Sequence, residues 1–539
     1  MTSPGHLRIG LWLDEPRVSQ QAYSLVEWAH AQPNVDVIAL LVAPPQQTVR
    51  PDGVVSTALF RALSAIETAQ LGRNARYRDH LKTFDPKELG IETAAVARDS
   101  LDPAALQGLK LDLIVCLGTE LPPTPLRSCA RLGTLAFEWA DALHRKGLPI
   151  GFWEVFERQD TTAFALRRFD AQSTSSELLL RGQVPTRHYY LLNRAALFDK
   201  AHHHLRVVLS RLASTGRWPN PQASSRIDRP PRGYPSAAQS LAYLRRHFAA
   251  MIHKKLAKLR GRDAHWQVSF VRSDWRDAAL QQARPIDNPP GRYLADPFVI
   301  RRTGRDYCFV EDFDCATQRG AISAYELGAE RAERVGIAID EPFHMSFPFL
   351  FEHGGALFMC PETSANRDIR VYRCVDFPLG WKLEKILMSG LSAVDTMLFE
   401  HGARWWMLTT IDPTQSGEIC SELHVFSADS PFADHWTPHA KNPVLFDAAC
   451  GRNGGLLVDG NDIFRVSQRQ GFDRYGKASQ INQIMALNDE VYDERCIARI
   501  EPTFKPGLLG THHLHSRDGI TVFDSLAEAT VRTHATVRP

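Results

Sequence analysis

From Ala295 onward the chain repeats one pattern five times. A small or polar residue is followed by an apolar strand, a glycine-containing turn and an aromatic strand. The clearest copies are ADPFVIRRTGRDYCFVED from Ala295, MSFPFLFEHGGALFMCPE from Met345 and VDTMLFEHGARWWMLTT from Val394. RNGGLLVDGNDIFRVSQ from Arg452 and GTHHLHSRDGITVFD from Gly510 are weaker copies. With Asp296, Ser346, Asp395, Asn453 and His512 taken as equivalent, the steps are about 50, 49, 58 and 59 residues, in the range of propeller blades. Helix signals nearly vanish after Trp266, and short aromatic or β-branched runs alternate with turn residues. The prediction is an all-β, five-bladed propeller over residues 265–530. The first strand of each blade lines the channel of a propeller, so the five equivalent positions should converge there.

Residues 1–215 read as α/β. The runs RIGLWL (8–13), VDVIALLV (35–42) and LDLIVCL (111–117) are near-continuously apolar, and Ala22, Leu25, Val26 and Ala29 recur at helical spacing between the first two. That pattern predicts a parallel sheet covered on both faces. No GxGxxG or P-loop follows these strands, and no cofactor is expected. A proline-rich stretch at 216–235 reads as a linker. Residues 235–262 then contain no acid but seven basic residues: Arg245, Arg246, Lys254, Lys255, Lys258, Arg260 and Arg262. Leu241, Leu244, Phe248, Ile252, Leu256 and Leu259 fall at helical spacing through the same stretch. Two readings stand: a connecting helix packed on a neighbouring domain, or a basic amphipathic helix touching anionic lipid or a phosphorylated substrate. The domain boundaries read as 1–215, a linker and helix at 216–264, the propeller at 265–530 and a tail at 531–539.

Composition removes several function classes. Hydrophobic residues make up 44% and charged residues 23%, which excludes a largely disordered chain. Lys plus Arg is 63 against 61 Asp plus Glu. That balance gives no global field for gripping nucleic acid, and none is expected as a partner. The 9 cysteines form no CxxC, so neither a disulfide scaffold nor a zinc finger is indicated. The first residues lack a secretory pattern, and no apolar run approaches the roughly 20 residues of a membrane span. The expectation is a cytoplasmic protein without a transmembrane segment, membrane-associated if the basic segment touches lipid.

Two family resemblances add to this reading. LDLIVCLG, ARLGTLAFEWAD, GLPIGFWEVFERQDTTAFALRRFD and SELLLRG follow, in order, the strands and catalytic loop of the formyltransferase fold. The first domain therefore resembles a formyltransferase. That family's Asn, His and Asp fall on Ala136, Glu138 and the vicinity of Thr174, so the resemblance implies a relative that has lost the reaction. Glu138, Trp139, Asp141, His144, Arg145 and Trp153 form either a different site or fold contacts. The His202–His204 triplet lies on a predicted helix and reads as surface. The propeller region is similar to the N-terminal domain of glucosamine inositolphosphorylceramide transferases. The matching stretches include YLADPF, VEDF, RGAIS, EPFHMSFPFLFEHGGALFMCPET, VYRCVDFPLGW, VDTMLF, RWWMLTT, WTPHAKNPV, RNGG, FRVSQ and YG. It resembles more distantly the five-bladed glycosidases of the arabinanase and invertase type. These resemblances imply a sugar, glycan or glycolipid substrate.

Glycoside cleavage needs two carboxyl groups across the scissile bond, and a third acid can tune the first by like-charge repulsion. Asp296, just before Pro297, is assigned as base or nucleophile, Glu362 as proton donor and Asp395 as the orienting acid. Glu311 and Asp312 occupy the position in blade one that Glu362 occupies in blade two. Each has a plainer alternative. The DP dipeptide favours a turn in which Asp caps local amides, while Asp395 and Glu311 suit inter-blade anchoring. His344, Arg452, Arg465, Gln468, His512 and His513 should line the same mouth, where Arg and His beside carboxylates suit phosphate or an anionic sugar. A metal held by His344, His512, His513 and His515 competes with this, and no metal is expected. Three functions follow: a glycoside hydrolase or transglycosylase, a non-hydrolytic sugar-binding or transferase component of glycan assembly, or a transferase using an altered site from Glu138 to His144.

Overall fold

The computed structural model describes residues 6–43, 53–91, 93–95, 107–118, 120–139, 149–170, 176–222, 232–259 and 262–530. The chain divides into two compact units, 1–249 and 250–539. Asp141, His144, Arg145 and Thr174 lie outside the described residues, as do 223–231 and the 531–539 tail.

In the first unit the apolar runs become a seven-stranded mixed sheet. Its strands are β1 (Leu7–Leu13), β2 (Val35–Val42), β3 (Thr93–Ala95), β4 (Leu113–Cys116), β5 (Thr134–Trp139), β6 (Thr161–Phe169) and β7 (Ser176–Pro185). The order is β3-β2-β1-β4-β5-β6-β7. The first five positions pair in parallel, and the last two strands run antiparallel. Helices α1 (Gln20–His30), α2 (Val54–Arg73) and α3 (Tyr190–Thr215) cover the sheet and one another, which is why Ile9, Leu11, Leu113 and Ile114 are fully buried. The first turn of α3 is satisfied from another helix. Buried Glu67 of α2 accepts the N–H groups of Tyr190 and Leu191 and the hydroxyl of Tyr243.

His202 and His204 are buried, which corrects the reading of that triplet as surface. His202 shares a face of α3 with Leu205 and Leu209, and its ring packs 5.1 Å from Phe137. The described parts of the proline-rich stretch lie against this unit: Gln222 donates to the Leu178 carbonyl, and Arg168 stacks over Trp218. Helix α4 (Ala237–Leu259) spans the division between the units. No helix among the described residues is long and apolar enough to cross a membrane.

The second unit is a five-bladed propeller. Blade one comprises Arg292–Arg302, Arg305–Asp314, Arg319–Leu327 and Ala332–Ile339. Blade two comprises Ser346–His353, Ala356–Glu362, Asp368–Asp376 and Gly380–Ser389. Blade three is built on Ala393–His401, Arg404–Ile411 and Glu422–Ala428, and blade four on Arg452–Asp459, Asp462–Gly471, Arg474–Leu487 and Tyr492–Ile500. Blade five draws on both ends of the unit. Leu514–Arg517 pairs with Ile520–Thr530, which pairs antiparallel with Arg262–Val271. The innermost strands touch in a closed ring, each blade to the next and the fifth to the first.

The repeated glycines have a common cause. Blades one, two, three and five join their two inner strands by two-residue turns at Thr303-Gly304, Gly354-Gly355, Gly402-Ala403 and Asp518-Gly519, with positive φ at both positions. Such mirror-image turns match the twist of a hairpin, and glycine adopts them without a Cβ clash. Aromatic side chains fill the space between neighbouring inner strands. Phe298 meets Phe347 at 5.0 Å and Phe349 at 5.6 Å, and burial of each such ring is worth about 1.5–3 kcal/mol.

The register corrects one alignment of the repeat. Ala295, Ser346 and Val394 sit opposite Glu311, Glu362 and Thr410, and each is followed by a bulge. Asp296 and Asp395 begin their bulges with φ of 50° and 51°, and the blade-two residue in that place is Phe347, at 46°, not Ser346. The bulge has the same form in all three blades, three residues opposite two, so Ser346 is the equivalent of Ala295 and Val394.

Candidate functional site

The bulges decide what the inner strands present. Asp tolerates the left-handed region better than most residues, and buried backbone outliers of this kind cluster at functional sites. Asp296 and Asp395 hold that conformation at 4% and 0% exposure. Asp296 is braced from blade five. Its backbone N–H donates to Asp524 Oδ2 at 3.3 Å, and its Oδ1 lies 3.3 Å from His512 Nε2 and 3.6 Å from His513 Nδ1. Asp524, fully buried, also accepts the N–H groups of His512 and His513 and faces His512 Nδ1 at 2.9 Å.

The His512 ring is thus held between two carboxylates. Burial opposes its charge, but Asp524 and Asp296 overcome that and lift it to about 10. Burial likewise works against a charged Asp296, and the close ring and charge of His512, with His513 and Arg452, hold it down at about 2. His513 is different. Buried between Phe298 and Phe347, it is lowered to about 4.

Blades two, three and four supply the other half. Arg452 donates from Nε to Asp395 Oδ2 at 2.6 Å, and its Nη2 lies 3.5 Å from Glu362 Oε2. Gln468 donates to Asp395 Oδ2 at 2.9 Å, and Asn453 donates to the Asp395 carbonyl at 2.8 Å. Ser364 donates to Glu362 Oε1 at 2.7 Å. Asp296 Oδ1 and Glu362 Oε2 accept no hydrogen bond from the described residues. Glu311 stands in the register position of Glu362, with His344 Nε2 3.7 Å away. Burial, then the charges of Asp296 and Glu362, raise Glu311 well above the usual carboxylate range. Burial also raises Asp395; Arg452 opposes this, and Glu362 and Asp296 add to it.

The predicted acids Asp296, Glu362, Asp395 and Glu311 therefore form one electrostatic cluster, with Arg452, Gln468 and His512 as its buried braces and His344 at its side. Two residues stand elsewhere. Asp312, adjacent to Glu311, points to the other face of its strand. There it pairs with Arg292 and Arg334 and accepts from Ser323. Arg465 is fully buried and committed to Glu494 and the Cys450 carbonyl. Arg452 and Arg465 are thus both paired with carboxylates of the protein itself, Arg452 within the acidic cluster and Arg465 outside it.

Asp296, His512 and Asp524 each offer a ligand atom within 4.8 Å of the others, so this trio, rather than the predicted His344–His515 set, has metal-ligand spacing.

Sequence reasoning missed Asp524 and Tyr475. Asp524 interrupts the apolar run ITVFDSL just as Asp395 interrupts AVDTMLF, so the signal was present. Tyr475 is 39% exposed, and its ring lies 4.9 Å from the Arg452 guanidinium and 5.2 Å from His512. Trp266 packs 4.0 Å from His512 and 6.3 Å from Tyr475. An exposed aromatic ring above buried carboxylates is the kind of surface on which a sugar ring stacks.

The family model for the N-terminal domain of glucosamine inositolphosphorylceramide transferase 1 matches residues 281–505. The match covers most of blades one to four and this acidic cluster, apart from the blade-five braces. The Arabidopsis thaliana protein of that name is 33% identical over 242 residues, covering 42% of this chain and 31% of that protein. The chain thus spans about a third of the length of this relative. Among solved structures, a thermostable family-43 glycoside hydrolase aligns over 44% of this chain and 87% of its own, at 14% identity and a TM-score of 0.33. A glycinamide ribonucleotide transformylase from Symbiobacterium toebii aligns over 42% of this chain and 93% of its own, at 13% identity and a TM-score of 0.28.

In the first unit, Ala136, Glu138, Trp139 and Trp153 make the following contacts. Ala136 is buried in β5 among Trp12, Ile114 and Phe169. Glu138 forms a buried ion pair with Arg167. Trp139 packs on Phe198, and Trp153 donates to the Gly233 carbonyl.

Proposed function

We propose that the propeller is a carbohydrate-active module that acts on a glycan or glycolipid by acid–base or nucleophilic catalysis at its acidic cluster. One observation carries this reading: Asp296, Glu311, Glu362 and Asp395, from three blades, share one buried cluster, in which Asp296 is lowered against its burial by His512 while burial and the charges of Asp296 and Glu362 raise Glu311. Neighbouring acids whose environments drive them to opposite protonation states are what glycoside chemistry requires. Asp296 acts as base or nucleophile and Asp395 as the orienting acid. Glu362 and Glu311 occupy equivalent positions in neighbouring blades, and Glu362 is the proton donor with Glu311 beside it. Tyr475 supplies the stacking surface for the sugar. The similarity to the inositolphosphorylceramide glycosyltransferases supports a glycan or glycolipid as the substrate class.

The test is a glycan-array and aryl-glycoside screen of the wild type against three variants. Asp296→Asn should lose turnover by a factor of at least about 10² while retaining ligand binding. Glu311→Gln and Glu362→Gln should lose turnover on substrates with poor leaving groups, and retain more of it on activated aryl glycosides. Wild-type binding without turnover on any glycan, unchanged in Asp296→Asn, would instead support the second reading, a non-hydrolytic sugar-binding or transferase component. The Arg452 contacts to both Asp395 and Glu362 favour that alternative, because they tie down two of the four acids.

For the first unit we propose a formyltransferase-like fold without formyl transfer. Support comes from the order of its parallel and antiparallel strands, from buried Ala136, and from the engagement of Glu138 with Arg167.

A further inference from the structure

We propose that helix α4 docks the protein on an anionic lipid surface. The helix uses one face inward: Ser240, Tyr243 and His247 are buried, with Tyr243 bonded to Glu67 and His247 3.3 Å from Gln70. The hydrophobic residues lie on a different face. Leu241 is 59% exposed, Phe248 47%, Met251 45%, Ile252 59% and Leu256 42%. The spacing of 241, 248, 252 and 256 keeps these side chains on one stripe about 22 Å long at 1.5 Å per residue.

Charge selects the occupant. Residues 235–262 carry seven Lys or Arg and no Asp or Glu in a chain whose net charge is only +2. Arg245 and Lys255 are exposed within the span of the stripe. A second copy of the helix would bring five positive charges against five, which opposes self-association. An apolar stripe flanked by basic residues is the composition of a helix lying in the plane of a membrane interface. The helix is too polar to cross a membrane. This inference stands apart from the chemistry of the propeller.

Flotation of the full chain with phosphatidylcholine vesicles, with and without phosphatidylserine, tests it. Binding is expected only with phosphatidylserine and should fall as salt rises. The double variant Phe248→Ser, Ile252→Ser should not float. Arg245→Gln with Lys255→Gln should weaken partitioning about fivefold per charge removed. Both variants should keep the wild-type circular dichroism spectrum, since the altered side chains are exposed. Failure of the wild type to float on phosphatidylserine vesicles, equal flotation on phosphatidylcholine alone, or undiminished flotation of the serine variant would each overturn the proposal. So would a concentration-dependent dimer that the serine variant abolishes, because the stripe would then belong to a second copy.

Discussion

His512 and His513 are chain neighbours with opposite electrostatic fates. Flanked by Asp524 and Asp296, His512 is raised to about 10, whereas His513 is lowered to about 4 by burial. For His512 the stabilisation is complete below the unfolded value near 6.5 and fades as pH rises through about 10. Asp296 runs the other way: its contribution is present above about 3.9 and is lost as pH falls through about 2. Ring NMR should therefore find His512 still protonated at about pH 8, while His513 stays neutral down to about pH 4. A His512 that titrates near 6.5 would contradict the two-carboxylate brace. Denaturation between about pH 6.5 and 10 should show wild type losing stability that His512→Gln never had. At this scale the sequence is half legible. Asp395 is recognisable as a polar residue inside an apolar strand. Arg452 and Arg465 look alike in sequence, yet one meets the acids and the other does not. What separates them is Glu494, 29 residues beyond Arg465 and on another strand, which no local pattern reveals.

The inner hairpins show why elements were easier to read than residues. The glycine turns and apolar runs mark the first two strands of each blade, because a two-residue turn and a period-two strand are local demands. The bulges are not local. They add one residue opposite the partner strand, and the polar residue before the bulge of blade two, Ser346, matches Ala295 rather than Asp296, whose equivalent is Phe347. The turns make a prediction of their own. Gly304 has φ of 76°, and a β-branched side chain there meets the clash that disfavours left-handed backbone. Gly304→Val should cost about 1–2 kcal/mol in thermal or chemical unfolding, and Gly304→Asn distinctly less, because Asn tolerates that region. Equal losses for the two would rule out turn conformation as the cause.

In the whole propeller, five sheets were legible from periodicity, but the split fifth blade was not. Its Arg262–Val271 strand precedes the first repeat and pairs with the last, a contact separated by some 260 residues that only ring closure explains. A chain truncated after Gly519 lacks Ile520–Thr530, the strand that joins both ends. It should lose cooperative unfolding of the entire propeller, read by near-ultraviolet circular dichroism of Trp405 and Trp406 in blade three. A cooperative transition that survives the truncation would show that the blades do not depend on closure. The pairing also has a mechanical side. Arg262 lies opposite Thr530, so the outer ends of the two closing strands leave from the same edge of the sheet. Tension applied to the ends of the ring would not shear ten residue pairs at once. It would peel them apart singly from Arg262–Thr530 inward, so the seam that completes the fold at equilibrium is also its point of least resistance to pulling.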